Sequence, residues 1–123
     1  MKYFKYFVII VTLLFLGCET KSPSLKKHNE KYYQTKLCKK LKGKMEYRLS
    51  DNTRVDCLTD EYAIEVDWAK KWAEGIGQSL YYGYMTNKKP AVALICSKKD
   101  KRYIKRLNTV AKQENIKVFI LKK

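Results

Sequence analysis

From residue 30 onward, apolar and polar positions recur with two distinct periods. Glu30 to Leu41 places Tyr33, Leu37, Cys38 and Leu41 at helical spacing, with Gly43 as the stop. Lys44 to Leu49 and Thr53 to Leu58 alternate as strands do, and Asp51-Asn52 reads as the turn between them. In the second strand Val55 and Cys57 take one face, Arg54 and Asp56 the other. Tyr62 to Asp67 predicts a third strand, with Tyr62, Ile64 and Val66 opposite Ala63, Glu65 and Asp67. From Trp68 the period becomes helical: Trp68, Trp72, Ile76, Ser79 and Leu80 form one stripe, ending near Gly83. Ala91 to Cys96 is a continuous apolar run, as expected of a strand buried on both faces. Lys101 to Gln113 predicts an amphipathic helix with Ile104, Leu107, Val110 and Ala111 inward, and Ile116 to Leu121 a last strand. The order α-β-β-β-α-β-α-β, a meander followed by crossover units, predicts an α/β (α+β) fold with a mixed sheet flanked by helices.

The residues before this block follow neither period. Met1 to Lys5 is short and basic, and Tyr6 to Leu16 is almost unbroken apolar. That run suits the core of a secretory signal, whereas a membrane span takes about 20 residues. Leu14-Phe15-Leu16-Gly17-Cys18 resembles the lipobox of bacterial lipoproteins, with Phe15 where Leu is usual. The resemblance implies a signal peptide over 1–17, a lipidated Cys18, and a bacterial cell-envelope location, lipid-anchored and facing the periplasm. Glu19 to Asn29 is polar and contains Pro23, so 18–29 reads as the lipidated Cys and a flexible tether to a single domain over 30–123.

Charge narrows the partners. The chain of 123 residues carries 27 Lys and Arg against 12 Asp and Glu. Without Lys2 and Lys5 of the signal, 25 bases face the same 12 acids, a net +13. Such an excess favours polyanions: nucleic acid, anionic lipid or acidic glycan. A lysine-coated but otherwise inert surface is the competing reading. Lys101, Arg102, Lys105 and Arg106 of the last helix, with Lys88, Lys89, Lys98 and Lys99, are candidates for sequence-independent contact with a nucleic-acid backbone. Cys38, Cys57 and Cys96 have no metal-ligand spacing. In an exported protein a Cys38–Cys57 disulfide is one expectation and separate buried thiols the other. His28 stands alone in the tether.

Acids are scarce, yet Asp56, Glu65 and Asp67 crowd one segment. If Asp60-Glu61 is a two-residue turn, Cys57 faces Ile64 and Asp56 faces Glu65, with Cβ atoms about 4.5–5.5 Å apart. Like charges so placed repel, and burial beneath a helix raises the cost. A divalent cation such as Mg²⁺ relieves both; pairing with Arg54 or surface lysines is the alternative. In the following helix Lys71, Gly75, Gln78 and Tyr82 share one stripe, which sets Lys71 and Gln78 above the acids. Gly75, Gly77 and Gly83 there suggest close approach of the helix to the sheet or to a substrate.

Glu46, Asp56, Glu65-Val66-Asp67 and Gln78-Ser79-Leu80-Tyr81-Tyr82, in that order, resemble the PD-(D/E)XK phosphodiesterase superfamily of restriction endonucleases and RecB-type nucleases. The resemblance covers Glu30 to about Cys96. It implies a restriction-endonuclease-like core and a membrane-tethered, metal-dependent nuclease acting on DNA, or less expectedly RNA, with little sequence specificity. Mg²⁺ or Mn²⁺ would sit on Asp56 and Glu65, with Glu46 and Asp67 contributing, and Lys71 and Gln78 completing the catalytic set. Asp67 occupies the place of the motif lysine; the family tolerates migration of that lysine to the next helix, where Lys71 has the right face. The alternatives are a catalytically inactive module of the same fold that binds nucleic acid or other polyanions, and a structural lipoprotein lying on anionic lipid.

Overall fold

The apolar run around Ala91 to Cys96 becomes the buried axis of the sheet. The computed structural model describes residues 27–123. Helix α1 (Glu30–Lys40) is followed by strands β1 (Lys44–Arg48), β2 (Arg54–Leu58) and β3 (Tyr62–Trp68). A 3₁₀ turn at Ala69–Lys71 leads into α2 (Trp72–Thr86) and then β4 (Lys89–Cys96). A second 3₁₀ turn, Lys98–Asp100, opens α3 (Lys101–Gln113), and β5 (Lys117–Lys122) closes the order. The five strands lie in chain order; β1, β2 and β3 pair antiparallel, and β3, β4 and β5 parallel. This is an α+β fold, a mixed sheet with helices on both faces.

One face belongs to α1. Ile64, Val66, Ala91, Ala93 and Ile95 point toward it and are covered by Tyr33, Leu37 and Cys38. The other face belongs to α2 and α3: Val92 and Leu94 pack with Trp72, Ile76, Leu80, Leu107 and Ala111. The crossover helices α2 and α3 cover one face of β4 and α1 the other, which is why its sequence does not alternate.

Two expectations are corrected. Trp68 is not part of the helical stripe; it closes β3 and packs on the α1 side, edge-on to Tyr33 at 6.0 Å. Gly83 does not end α2. The helix runs on to Thr86 and stops at Asn87, whose φ of 53° turns the chain left-handed. Gly83 serves instead for close approach, since a Cβ there would stand 3.0 Å from the Lys88 carbonyl and 3.2 Å from the Pro90 ring. Gly75 is similar, 3.2 Å from Val92, whereas Gly77 faces open space.

A disulfide joins α1 to β2 between Cys38 and Cys57, with Cα atoms 5.6 Å apart. Cys96 remains a buried free thiol. The apolar segment 6–16, Cys18 and most of the tether lie outside the described residues. Among the described residues, no helix is long and apolar enough to cross a membrane.

The bridge spans a sequence separation of 19, for which loop-closure entropy gives about 3 kcal/mol of stabilisation. Reduction with dithiothreitol is expected to lower the urea midpoint by the equivalent of that energy. An unchanged midpoint contradicts a bridge that constrains the unfolded chain.

Candidate metal centre

The centre is built by a hairpin whose ladder stops early. The Thr59 N–H donates to the Tyr62 carbonyl at 2.9 Å, and the Tyr62 N–H to Thr59 Oγ1 at 2.8 Å, so Asp60 and Glu61 form the turn. The register then runs Leu58↔Ala63 and Cys57↔Ile64. The next pair would be Asp56 and Glu65, and there the backbone pairing ends. Asp56 Oδ2 accepts the Val66 N–H at 2.8 Å, and the Asp56 carbonyl accepts from Gln34 Nε2 at 2.8 Å. Across the sheet, Glu46 lies between the pairs Met45↔Cys57 and Tyr47↔Val55 with a left-handed φ of 52°. A non-glycine residue held there costs about 1–3 kcal/mol and marks a constrained site. Beyond this break Val55 packs with Ala63 and Tyr82 on the α2 side, not with Cys57 as strict alternation predicts.

Burial dominates the electrostatics. Glu65 is 6% exposed and Asp67 5%, too little for water to solvate their charges. Burial, then the charges of Asp56 and Asp67, pushes Glu65 up to about 9. Asp56 is pushed up to about 6 by burial, against the Val66 N–H, which favours its ionised form. The two carboxyls stand close enough for each charge to bear on the other, which with burial favours a proton held by the pair. Asp67 is raised to about 6, again by burial first, although the Trp68 N–H at 2.8 Å and the charge of Lys71 act the other way. Glu30, at the start of α1, is raised by burial and by the charge of Asp56. Four acids from α1, β2 and β3 therefore bear on one another.

Glu65 Oε2 is buried and has no hydrogen-bond partner. An orphaned buried oxygen on a proton-sharing carboxyl pair fits a hard cation. Among the described residues, no three His, Cys, Asp or Glu side chains converge as a closed metal cage. The donor set thus suits an ion that keeps much of its water and needs one or two carboxylates, as Mg²⁺ does, and not a tetrahedral zinc.

The remaining site residues distribute as follows. Glu46 lies near enough for its charge to raise Asp56, but its oxygens are engaged: Oε1 accepts from Lys31 Nζ and Gln34 Nε2, both at 2.9 Å, and Oε2 lies 3.5 Å from Arg54. Those partners hold its carboxyl below the usual range, so in this structure it is an ion-pair member. Lys71 is exposed but near enough to Asp67 and Glu30 to favour their charged forms. Gln78 is exposed and bonds the Tyr82 hydroxyl; it is buried Tyr82 that stands beside Glu65 and Asp56. Lys88 and Lys89 lie at the start of β4, where Lys88 Nζ caps the Asp60 carbonyl at 2.7 Å. The eight residues of β4 separate them from Lys98 and Lys99 by about 26 Å, so these lysines do not form one patch. Lys101, Arg102, Lys105 and Arg106 are exposed on α3. Sequence reasoning missed Glu30 and Gln34. Their one signal was four-residue spacing with Cys38, which puts all three on one face of α1.

The pair makes the metal-free protein pH-sensitive. Asp56, Glu65 and Asp67 bind protons more tightly folded than unfolded. The stability they contribute is complete below their ordinary values near 4, and is lost as pH rises through about 6 for both Asp and about 9 for Glu65. Glu46, Asp51 and Asp100 are lowered and act below that window. In EDTA, the melting temperature is expected to fall between about pH 5 and pH 9, and Glu65→Gln to remove the upper part of the fall. A rising profile, or one indifferent to Glu65→Gln, contradicts this electrostatic picture.

Compared with family models, curated proteins and solved structures, the chain shows no match, so the reading of this centre rests on its own chemistry.

Proposed function

We propose that the protein is a membrane-tethered, metal-dependent nuclease of restriction-endonuclease-like fold that hydrolyses phosphodiester bonds. The observation that carries this reading is the Asp56–Glu65 pair, two acids brought opposite each other by the hairpin, with Glu65 buried and one of its oxygens unpartnered, in a strongly basic protein. Asp56 and Glu65 would hold the ion, and Asp67 and Glu30 add negative charge around it. Bound Mg²⁺ or Mn²⁺ supplies Lewis-acid polarisation of a phosphoryl oxygen and acidifies water. Asp67, near 6, is ionised at neutral pH and available to accept a proton. Lys71, beside it, steadies the negative charge that develops on the phosphoryl group. Tyr82, whose hydroxyl is held protonated by burial and by Glu65, is a hydrogen-bond donor for the site. Lys98, Lys99, Lys101 and Arg102 follow the C-terminal end of β4, the usual end for ligands of parallel strands, and hold a polyanionic backbone without reading sequence.

A second reading, polyanion binding without cleavage, is favoured by the placement of Lys71. Its charge bears on Glu30 and Asp67 at the edge of the cluster, while the pair itself is governed by burial and by other acids.

The full chain in detergent is expected to cleave linear DNA with Mg²⁺ or Mn²⁺ and to stop with EDTA. Glu65→Gln and Asp56→Asn are expected each to lower the rate at least about 100-fold. Undiminished cleavage by Glu65→Gln refutes the assigned centre. Salt-sensitive DNA binding that ignores EDTA, with no cleavage, selects the second reading.

A further inference from the structure

A pocket on the α1 face takes no part in the acid cluster. It arises because α1, with 11 residues and a length of about 16 Å, is the only helix among the described residues that covers that face of the sheet. The Cys38–Cys57 bridge and the Gln34 bonds draw α1 toward β1 and β2, leaving the β5 side open. The cavity has a volume of about 350 Å³, within the range of small-ligand sites. Tyr33 and Leu37 of α1 and Leu121 of β5 line it, and Tyr32 forms a wall, stacked on His28 with ring centroids 3.6 Å apart.

Its rim is cationic. Lys36, Lys40, Lys122 and Lys123 border the cavity and, among the described residues, no acid does. Lys123 lies 3.8 Å from Asp100 and 5.0 Å over the Trp68 ring. Lys36, Lys40 and Lys122 make no ion pair among the described residues. An aromatic wall beneath unpaired ammonium groups selects a ligand that is flat and apolar in one part and anionic in the next. A nucleotide has that chemistry: base–aromatic stacking and phosphate–lysine attraction act together on single strands. A bilayer surface is flat and gains little from a recessed cavity.

The position relative to the acids agrees. Trp68, which packs edge-on to Tyr33 in the pocket wall, directly follows Asp67, whose carboxylate accepts its N–H. Asp67 and the aromatic side of the pocket therefore lie at the same end of β3, with the pocket on the α1 face.

We propose that this pocket is a subsite for one nucleotide of single-stranded nucleic acid, its base against Tyr32 and the apolar floor and its phosphates on Lys36, Lys40 and Lys122. The choice of ligand class rests on the proposed nuclease function, but binding here needs no metal.

The test is fluorescence anisotropy of the full chain, in detergent and EDTA, with a short labelled oligothymidylate. The Lys36→Gln/Lys40→Gln variant and Tyr32→Ala are each expected to weaken binding about tenfold. The lysine variant also lowers the salt slope by about one per lysine. Ultraviolet cross-linking of the unaltered protein is expected to label the peptide containing Tyr32 and Tyr33, a readout independent of any effect on folding. Full-strength binding by both variants, or cross-links only elsewhere, overturns the subsite. So does a lysine variant that loses phosphatidylglycerol vesicles while keeping the oligonucleotide, which assigns the pocket to lipid. Loss of oligonucleotide in the variants, with no cleavage by the unaltered protein, upholds the subsite and removes the nuclease reading. Glu65-dependent cleavage with unimpaired binding by the variants removes the subsite alone.

Discussion

A carboxyl group sits in the middle of a central strand, under a helix, where water does not reach it. Glu65 is the residue around which the neighbouring structure is arranged. A buried carboxylate costs several kcal/mol unless it is neutralised or paired, and its nearest ionisable neighbour is another acid. In the metal-free molecule burial and mutual repulsion raise both carboxyls, which favours a proton shared by the pair. Asp56 can take part because its side chain has left the sheet ladder to take the Val66 N–H, and Gln34 satisfies its carbonyl in place of a strand partner. The break in the β2–β3 ladder and the geometry of the acid pair are one feature.

Helix α1 fixes that feature from the other face. Glu30, Gln34 and Cys38 recur every four residues and look toward β1 and β2. Cys38 is bonded to Cys57, the residue after Asp56. Gln34 ties the Asp56 carbonyl to the Glu46 carboxylate, and Glu46 holds a left-handed backbone to remain there. The same tether that positions the acids draws the helix off β5 and opens the lysine-rimmed pocket. Both surfaces that carry chemistry thus follow from where one short helix is anchored.

The element order was legible because each segment keeps its own period, and the hairpin register follows once Asp60-Glu61 is the two-residue turn, as the structure has it. The approach of Asp56 to Glu65 follows from that register. Other details depend on contacts that no local pattern encodes. Trp68 has helical spacing with Trp72, yet the strand continues through it and its ring packs against Tyr33 of α1. Glu46 reads as a ligand by its position before β2, but Lys31, Gln34 and Arg54, distant in sequence or across a strand, claim both its oxygens. Glu30 looks like an ordinary acidic first-turn residue until the tertiary fold brings it to Asp56. Lys88 and Lys89 resemble Lys98 and Lys99 in sequence, and only the length of β4 separates them.

The central claim is that the Asp56–Glu65 pair exchanges its shared proton for a divalent ion. Calorimetric titration of Mn²⁺ at neutral pH, repeated in buffers of different ionisation enthalpy, counts the protons released on binding. With Glu65 raised to about 9, binding is expected to release about one proton per ion, and Glu65→Gln to abolish both the release and the site. Binding heat that is absent, or identical in all buffers and in the variant, contradicts the account.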